Sequence, residues 1–289
     1  MLITSIIFSK DRPLQLDLCL QSIHKNLQSS TRNIVIYKCS NDKYKEAYKE
    51  LQTTYTNVEF WPQGKSLLRD IYHSILTESD NEFVCFFVDD CIVYQNVNID
   101  KEEITNIFND GAVCCISLRL GLNVNKRSHR GMFFPDEIGA HGLYSKGWIG
   151  CSKTTSWYGN YWSYSLSVDG HIFRKNDMYK MVNELIHVSK LYNNDKEWKN
   201  TPNTFEAQLQ RFWAITPNVI ICPEISAVVN SPNNKTQNSH PNQHGEVYSY
   251  DQDSLLELFL YGKRIDFEKL EIKDVECPHK EIDILKGLS

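Results

Sequence analysis

The sequence predicts an α/β fold built on an open, mostly parallel, twisted sheet that is flanked by helices. Strand-like and helix-like segments alternate with short connections over residues 1–88, and this order is typical of a parallel sheet. The run FVCFFV at 83–88 is apolar throughout, as expected for a central strand that is covered on both faces. Polar residues follow three of the predicted strands, in the segments SKDRP, CSND and VDDC.

The N-terminal elements are predicted from the spacing of apolar residues. Short apolar runs bounded by polar residues predict strands at 2–8, 33–40, 57–62 and 83–88. Helices are expected between them, the first from Pro13, the second over DKYKEAYKEL and the third over 65–76. Because ligands bind at the carboxyl ends of the strands in such sheets, VDDC is expected to face a ligand crevice.

The C-terminal half has a less regular pattern. Apolar spacing predicts helices at 100–108, 176–186, 203–215 and 253–262. Shorter apolar runs predict strands at 112–121, 166–175, 218–223 and 226–231. Residues 122–165 are rich in Gly, Ser, Asn, Trp and Tyr, and a loop region of that length in a compact domain is usually functional.

Composition and charge exclude several classes of protein. The 289 residues are 41% hydrophobic and 23% charged, which indicates a globular chain. A net charge of −5 argues against a general nucleic-acid binder. No apolar run approaches the roughly 18–20 residues that span a membrane, and MLITSIIFSKDRP lacks the features of a signal peptide. The nine cysteines show no metal-finger spacing, so we expect reduced thiols and a cytoplasmic location.

Two adjacent carboxylates, Asp89 and Asp90, end the predicted central strand. Like charges side by side repel, and burying them is costly unless a cation pairs with them. A divalent cation would relieve this repulsion and leave coordination positions for phosphate oxygens. The same two residues also allow a simpler interpretation, in which one aspartate makes a turn and its neighbour is solvated.

The segments IIFSKDRPLQLDLCLQSI, VDD and NTFEAQL together resemble glycosyltransferases of the A-type fold, family-2-like, over roughly residues 1–230. These enzymes move a sugar from a nucleoside diphosphate to an acceptor. The resemblance implies a single Rossmann-like domain over 1–289. Its nucleotide-sugar-binding half would be 1–110, its irregular acceptor-binding half 111–250, and its C-terminal helix and tail 251–289.

The resemblance also implies a donor and metal site. Asp89 would contact the ribose or base side of the donor, and Asp90 would bind Mn²⁺ or Mg²⁺. Cys91 stands where a second spaced aspartate often lies, so the segment follows the x-Asp-Asp variant. A C-terminal loop would close the donor site and could supply His240 or His244 to the metal.

The remaining donor-binding residues are expected at the strand ends and on the third helix. The favoured donor is a UDP-sugar, and the residues expected around it are Ser9, Asp11, Arg12, Ser40, Asn41, Lys65 and Arg69. Lys65 and Arg69, one turn apart, could meet the donor phosphates. An ordinary solvated helix face would look the same in the sequence.

The acceptor side is predicted from carboxylates and aromatic residues. Glu206 is the first candidate for the base that takes the acceptor proton, and Asp169 is the second. Asn203 and Glu206 also have the spacing of a capping box, and Asp169 also suits a tight turn. The acceptor would be a glycan or a lipid-linked molecule, and the aromatic residues expected to contact it, or else to form a local hydrophobic cluster, are Trp157, Tyr158 and Trp162.

Two other classes remain open at this stage. A nucleotidyltransferase could use the same sheet and metal, but it usually needs a glycine-rich basic loop after the first strand, and FSKDRP has no glycine. A catalytically silent sugar-binding or partner-binding domain would keep the fold without metal-dependent nucleotide binding, since fold alone does not determine function.

Overall fold

The computed structural model describes residues 3–76, 81–124, 142–145, 147–152, 161–164, 166–191, 200–236 and 244–289. The strands are β1 (Ile3–Lys10), β2 (Ser30–Lys38), β3 (Val58–Pro62), β4 (Phe83–Val88), β5 (Cys91–Val93), β6 (Val113–Ser117), β7 (Gly142–Ser145), β8 (Trp148–Ser152), β9 (His171–Arg174), β10 (Val219–Pro223) and β11 (Val228–Asn230). The α-helices are α1 (Pro13–Asn26), α2 (Asp42–Thr54), α3 (Leu67–Leu76), α4 (Lys101–Asn109), α5 (Lys175–Leu191), α6 (Pro202–Leu209) and α7 (Gln252–Leu260).

Nine of the described strands form one sheet in the order β3-β2-β1-β4-β9-β6-β10-β8-β7. The pairs β1–β2, β1–β4, β2–β3 and β6–β10 are parallel. Strand β9 lies antiparallel between β4 and β6, and β8 is antiparallel to both of its neighbours. The open, mostly parallel α/β sheet predicted from the sequence is therefore confirmed.

The order of the strands places a topological switch point beside β1. The chain builds β2 and β3 on one side of β1 and then crosses to place β4 on the other side. A ligand crevice forms outside the carboxyl ends of strands at such a switch point. Strands β5 and β11 form a separate antiparallel pair directly after this point.

Both faces of the sheet are covered, which explains the continuous apolar runs. In β1, Ile7 belongs to the buried cluster on the side of α1, α2 and α7, whereas Ile6 belongs to the cluster on the side of α3, α5 and α6. Both side chains are fully buried. Fully burying one such side chain stabilises the fold by about 1.5–3 kcal/mol.

Helix α2 shows how the local sequence sets an element. The side chain of Asn41 caps it by accepting a hydrogen bond from the Tyr44 backbone N–H at 3.2 Å. Tyr44, Ala47, Tyr48 and Leu51 recur at helical spacing and are buried, so one apolar stripe packs against the sheet.

Several predicted elements are shorter than the sequence pattern suggested. The strand predicted at 112–121 ends at Ser117, and the strand predicted at 166–175 begins only at His171. Gly170, with φ +73°, makes the turn that precedes β9. The helix predicted at 203–215 begins at Pro202, and its α-helical part ends at Leu209.

Within the described ranges, no helix is both long and apolar enough to cross a membrane.

Candidate active site

Asp89 anchors the crevice between β1 and β4. Its backbone N–H continues the strand pairing by donating to the Phe8 carbonyl at 3.0 Å. Its Oδ2 accepts hydrogen bonds from Ser9 Oγ at 2.9 Å and from the Lys10 backbone N–H at 3.0 Å. Ser9 Oγ also contacts the Tyr48 hydroxyl. The side chain of Asp89 is therefore fixed by the end of β1.

Arg12 bridges the two aspartates. It lies in the two-residue connection before Pro13 opens α1, and its Nη1 is 2.9 Å from Asp89 Oδ1 and 2.8 Å from Asp90 Oδ2. Its Nη2 donates to the main-chain carbonyl of Asn234. Burial acts to lower the pKa of Arg12, but the attraction of both carboxylates outweighs it and the pKa is raised. Arg12 thus stays charged and offsets one of the two negative charges.

Asp90 is tied to the second half of the chain by β11. Its Oδ1 lies 3.3 Å from the side-chain amide of Asn230, and its main-chain carbonyl accepts from the Ser231 N–H at 2.8 Å. The side chain is 13% exposed. Asp90 is therefore the more accessible of the two aspartates, because the side chain of Asp89 is only 6% exposed.

The contacts of the two carboxylates bear on the Mn²⁺ or Mg²⁺ ion predicted at Asp90. All four carboxylate oxygens of Asp89 and Asp90 already accept a hydrogen bond. Across the described parts of the chain, no group of three or more His, Cys, Asp or Glu side chains is placed to hold a metal. His244 is exposed, and His240 lies outside the described residues. In this arrangement a divalent cation could reach both carboxylates only by displacing Arg12, and metal binding at Asp90 stays a prediction.

The ends of β1 and β2 are held together by Asp11. This residue has φ 55°, and its carboxylate accepts from the Ser40 N–H at 2.7 Å and from Ser40 Oγ at 2.5 Å. Asn41 uses its side chain to cap α2. The side chains of Asp11 and Asn41 are therefore engaged in the framework, while Ser40 and Asn41 lie exposed at the rim of the crevice. Their donor contacts remain predictions.

The predicted phosphate contacts lie at the end of β3. Helix α3 begins at Leu67, so Lys65 precedes the helix and is not one helical turn from Arg69, as the sequence had suggested. Both side chains are exposed, which agrees equally with a solvated face. The side chain of Asn200 donates to the Lys65 carbonyl at 3.1 Å, and this contact links the end of β3 to the segment that enters α6.

A second charged cluster surrounds Arg119, just after β6. The guanidinium is buried, and its Nη1 donates to Asp169 Oδ2 at 2.6 Å and to Ser167 Oγ at 2.8 Å. It also lies 5.3 Å from the centre of the Tyr161 ring. On its other side, Nη2 is 3.4 Å from Nε2 of His279.

Glu206 completes this second cluster. The N-cap of α6 is Thr201, whose hydroxyl accepts from the Thr204 N–H, so the capping box suggested for Asn203 and Glu206 does not form. Glu206 Oε1 instead accepts from the Val168 N–H at 3.1 Å. Burial raises the pKa of Glu206 to about 7, and the charge of nearby Asp169 adds to this effect.

Packing brings the two clusters to the same edge of the sheet. Phe205, next to Glu206, packs its ring against Phe8 and Phe86 with centroid distances of 6.3 and 5.6 Å. The Gly170 N–H, next to Asp169, donates to the Phe86 carbonyl at 2.7 Å. Glu206 and Asp169 therefore lie beside the ends of β1 and β4, and their catalytic roles stay predictions.

Asn230 joins the clusters through a C-terminal segment that the sequence did not suggest. The Asn230 carbonyl accepts a hydrogen bond from the Lys280 N–H, and the Asn230 N–H donates to the Pro278 carbonyl. These two bonds place His279 opposite Asn230. Sequence reasoning missed Arg119 because it lies inside the strand predicted at 112–121, whereas β6 already ends at Ser117. No local pattern marks His279, since its position depends on a pairing between distant parts of the chain.

The predicted acceptor aromatics have different outcomes. Trp162 is 1% exposed and lies in the buried cluster on the α3, α5 and α6 face. Its ring is therefore not available to an acceptor, and the hydrophobic-cluster alternative holds for it. Trp157 and Tyr158 lie outside the described residues. Two described aromatic side chains do reach the second cluster. The ring of Tyr161 is stacked 5.7 Å from the ring of His279, and the Tyr164 side chain is hydrogen-bonded to Glu206.

No family model matches the chain, and no curated protein matches it. Solved structures similar to the chain include A-type glycosyltransferases, the family that the sequence resembles, and cytidylyltransferases. The glycosyltransferase TarS of S. aureus is 13% identical, with a TM-score of 0.45, over 81% of this chain and 37% of that chain. A 4-diphosphocytidyl-2C-methyl-D-erythritol synthase from Anaerococcus prevotii is 12% identical, with a TM-score of 0.43, over 90% of this chain and 95% of that chain. A cytidylyltransferase from Leptospira borgpetersenii is 9% identical, with a TM-score of 0.38, over 90% and 94% of the two chains.

Proposed function

We propose that this protein is a glycosyltransferase that moves a sugar from a nucleoside diphosphate, with a UDP-sugar favoured, to a hydroxyl group of a glycan or lipid-linked acceptor. One observation carries the proposal. Glu206, a carboxyl group with a pKa near neutrality, lies at the same sheet edge as the cluster of Arg12, Asp89 and Asp90. Such a site combines a group that can take a proton with a guanidinium, held by two carboxylates, whose remaining N–H groups could contact a phosphate.

The donor side supplies positive charge close to fixed carboxylates. Arg12 is held by Asp89 and Asp90, and Lys10 Nζ donates to the Thr236 carbonyl at 3.1 Å beside it. Negative charge builds up on the diphosphate as the sugar leaves, and fixed cations stabilise that charge because they need no reorganisation during the reaction. The exposed Lys65 lies at the rim and would contact the donor from outside.

The acceptor side supplies the base. In a direct displacement the acceptor oxygen forms a bond to the anomeric carbon while the bond from that carbon to the diphosphate breaks, and the diphosphate keeps the bonding electrons. The acceptor proton passes to Glu206, whose pKa of about 7 suits proton uptake near neutral pH. Arg119 fixes the position of Asp169, the second candidate, through the 2.6 Å contact.

The nucleotidyltransferase alternative is disfavoured by the connection after β1. Strand β1 ends at Lys10 and α1 begins at Pro13, so only Asp11 and Arg12 lie between them. Neither is a glycine, and the Asp11 carboxylate is engaged with Ser40. A glycine-rich cradle of backbone N–H groups for a triphosphate would need a longer connection.

The test is a panel of nucleotide sugars and nucleoside triphosphates, with nucleoside diphosphate and pyrophosphate release measured for wild type, Glu206→Gln and the control Glu257→Gln, which lies exposed on α7. We expect diphosphate release from one nucleotide sugar, reduced about 10²–10⁴-fold in Glu206→Gln and unchanged in the control. Release of pyrophosphate from a triphosphate would instead establish the nucleotidyltransferase. Absence of both nucleotide binding and turnover would instead favour the catalytically silent domain.

A further inference from the structure

Arg12 stands where a divalent cation was expected. Its Nη1 lies between Asp89 Oδ1 and Asp90 Oδ2, within 2.9 Å of both. We propose that Arg12 itself provides the positive charge for the donor diphosphate, and that nucleotide binding by this protein requires no divalent cation. The inference rests on the proposed function, and it replaces the metal that the sequence led us to expect.

Both carboxylates that would bind a metal are already paired with Arg12. A divalent cation between Asp89 and Asp90 would have to break two charge-assisted hydrogen bonds to Arg12, which are among the strongest in proteins. It would also leave the buried guanidinium, which is 9% exposed, without its counter-charges. Among the described residues, no third His, Cys, Asp or Glu side chain stands beside them to offset that loss.

Within the described residues, not every N–H group of the Arg12 guanidinium has an acceptor. A guanidinium has five N–H donors, and the described residues accept three of them, namely Asp89, Asp90 and the Asn234 carbonyl. Within the described part of the chain, Nε has no partner. Two neighbouring N–H donors on a planar cation match the oxygens of a phosphate group.

The segment that contains Asn234 lies against Arg12. Asn234 is 7% exposed, and neither atom of its side-chain amide has a hydrogen-bond partner among the described residues. Its segment is held to the donor cluster through main-chain carbonyls, that of Asn234 on Arg12 and that of Thr236 on Lys10. A diphosphate that displaces these carbonyls would satisfy both cations and could also accept from the Asn234 amide.

Asp89 acts as a positioning residue in this arrangement. It is held by Ser9 and by the Lys10 backbone, and it holds Arg12 in turn. The rigid end of β1 thus determines where the charge of Arg12 lies. The cation for the donor is therefore part of the fold.

The test measures binding of UDP, GDP, ADP and CDP to the full chain by calorimetry, once with EDTA and once with Mn²⁺. We expect the nucleotide that binds to do so with dissociation constants that agree within about twofold in the two buffers. Binding that is about tenfold or more tighter with Mn²⁺ would overturn the inference and leave the proposed function intact. Absence of binding in both buffers would overturn the proposed function and the inference with it.

Variants make the same test specific to the guanidinium. Arg12→Lys keeps a charge but loses the planar set of donors, and we expect it to weaken nucleotide binding about tenfold or more. Arg211→Gln, on an exposed position, is the control and should bind as wild type does. An Arg12→Lys protein with native circular dichroism and unchanged affinity would overturn the inference. The wild-type comparison of EDTA and Mn²⁺ decides the question even if Arg12→Lys does not fold.

Discussion

The side-chain amide of Asn230 lies 3.3 Å from Asp90 Oδ1, while the backbone of Asn230 is bridged to His279. One residue therefore contacts the cluster of Arg12, Asp89 and Asp90 with its side chain and is bridged to the cluster around Arg119 through its main chain. Through His279 the connection continues to Arg119 and Asp169. The two clusters form one continuous polar network at the edge of the sheet.

Removing the amide of Asn230 should destabilise the protein. In Asn230→Ala, Asp90 loses its contact at Oδ1 inside a buried region, and we expect a loss of about 1–3 kcal/mol in the free energy of unfolding. Urea denaturation measures it. Asn203→Ala, on a partly exposed position of α6, should stay within about 0.5 kcal/mol of wild type. Equal effects in the two variants would contradict the role of Asn230.

The two aspartates should differ in their effect on stability. Asp89 is the more buried and holds Ser9, Lys10 and Arg12 together, so Asp89→Asn should cost about 3 kcal/mol, as breaking a buried ion pair does. Asp90→Asn leaves Arg12 paired with Asp89 and should cost about 1 kcal/mol. Thermal unfolding of the two variants provides the comparison. The reverse order would show that Asp90 is the main partner of Arg12.

Glu206 should make stability fall as the pH rises. Its pKa is about 7 in the folded protein, compared with the ordinary 4.5. Between these values the folded state keeps a proton that the unfolded state releases, so the contribution of Glu206 to stability decreases from pH 4.5 to 7. The difference in free energy of unfolding between Glu206→Gln and wild type should therefore shift in favour of the variant from pH 4.5 to 7, which chemical denaturation across the pH range measures. Glu257→Gln should show no such shift, and a constant difference for Glu206→Gln would argue against a raised pKa.

His171 should act in the opposite direction. Burial, together with the charge of Arg119, lowers its pKa from 6.5 to about 3. Below pH 6.5 the unfolded chain takes up a proton that the folded state refuses, so the contribution of His171 to stability is lost as the pH falls from 6.5 towards 3, and between pH 4.5 and 6.5 it opposes that of Glu206. His171→Gln should reduce the loss of stability on acidification, whatever constant cost the substitution adds. His24→Gln, on an exposed position, should lose stability with falling pH as wild type does. An unchanged loss in His171→Gln would assign the acid sensitivity to other groups.

Asp11 should tolerate asparagine better than alanine. Its φ of 55° lies in the left-handed region, which asparagine adopts more readily than alanine. Asparagine also keeps an oxygen for the Ser40 N–H. We expect Asp11→Ala to lose about 1–3 kcal/mol more than Asp11→Asn, as measured by urea denaturation. Equal losses would mean that neither the backbone conformation nor the contact with Ser40 matters.

The N-terminal half could be predicted from the sequence because its information is local. Apolar runs and helical spacing locate β1, α1, β2 and α2 closely, and the polar ends of the strands mark the crevice. The pairing of Asp89 and Asp90 with Arg12 could not be predicted, because the sequence does not give the direction of a side chain across 77 positions. A metal ion and an arginine satisfy the same doubled negative charge, and only the contacts distinguish them.

The C-terminal half depends on long-range pairing. Strand β9 enters between β4 and β6 and runs against both, although its sequence has the same apolar character as a parallel strand. Glu206 was recognised as a candidate from the resemblance, yet its environment comes from Val168 and Asp169. His279 reaches the site only because its segment bridges to Asn230.

The bridge between Asn230 and His279 sets an order of events during synthesis. Arg119 and His279 are 160 positions apart, and a ribosome adding about 5–20 residues per second needs roughly 10–30 s between them. Over that interval the nascent chain already carries both aspartates and Arg12 but not the residue that closes the far side of the network. Fragments released before His279 is added would hold the charges of the crevice without its final geometry.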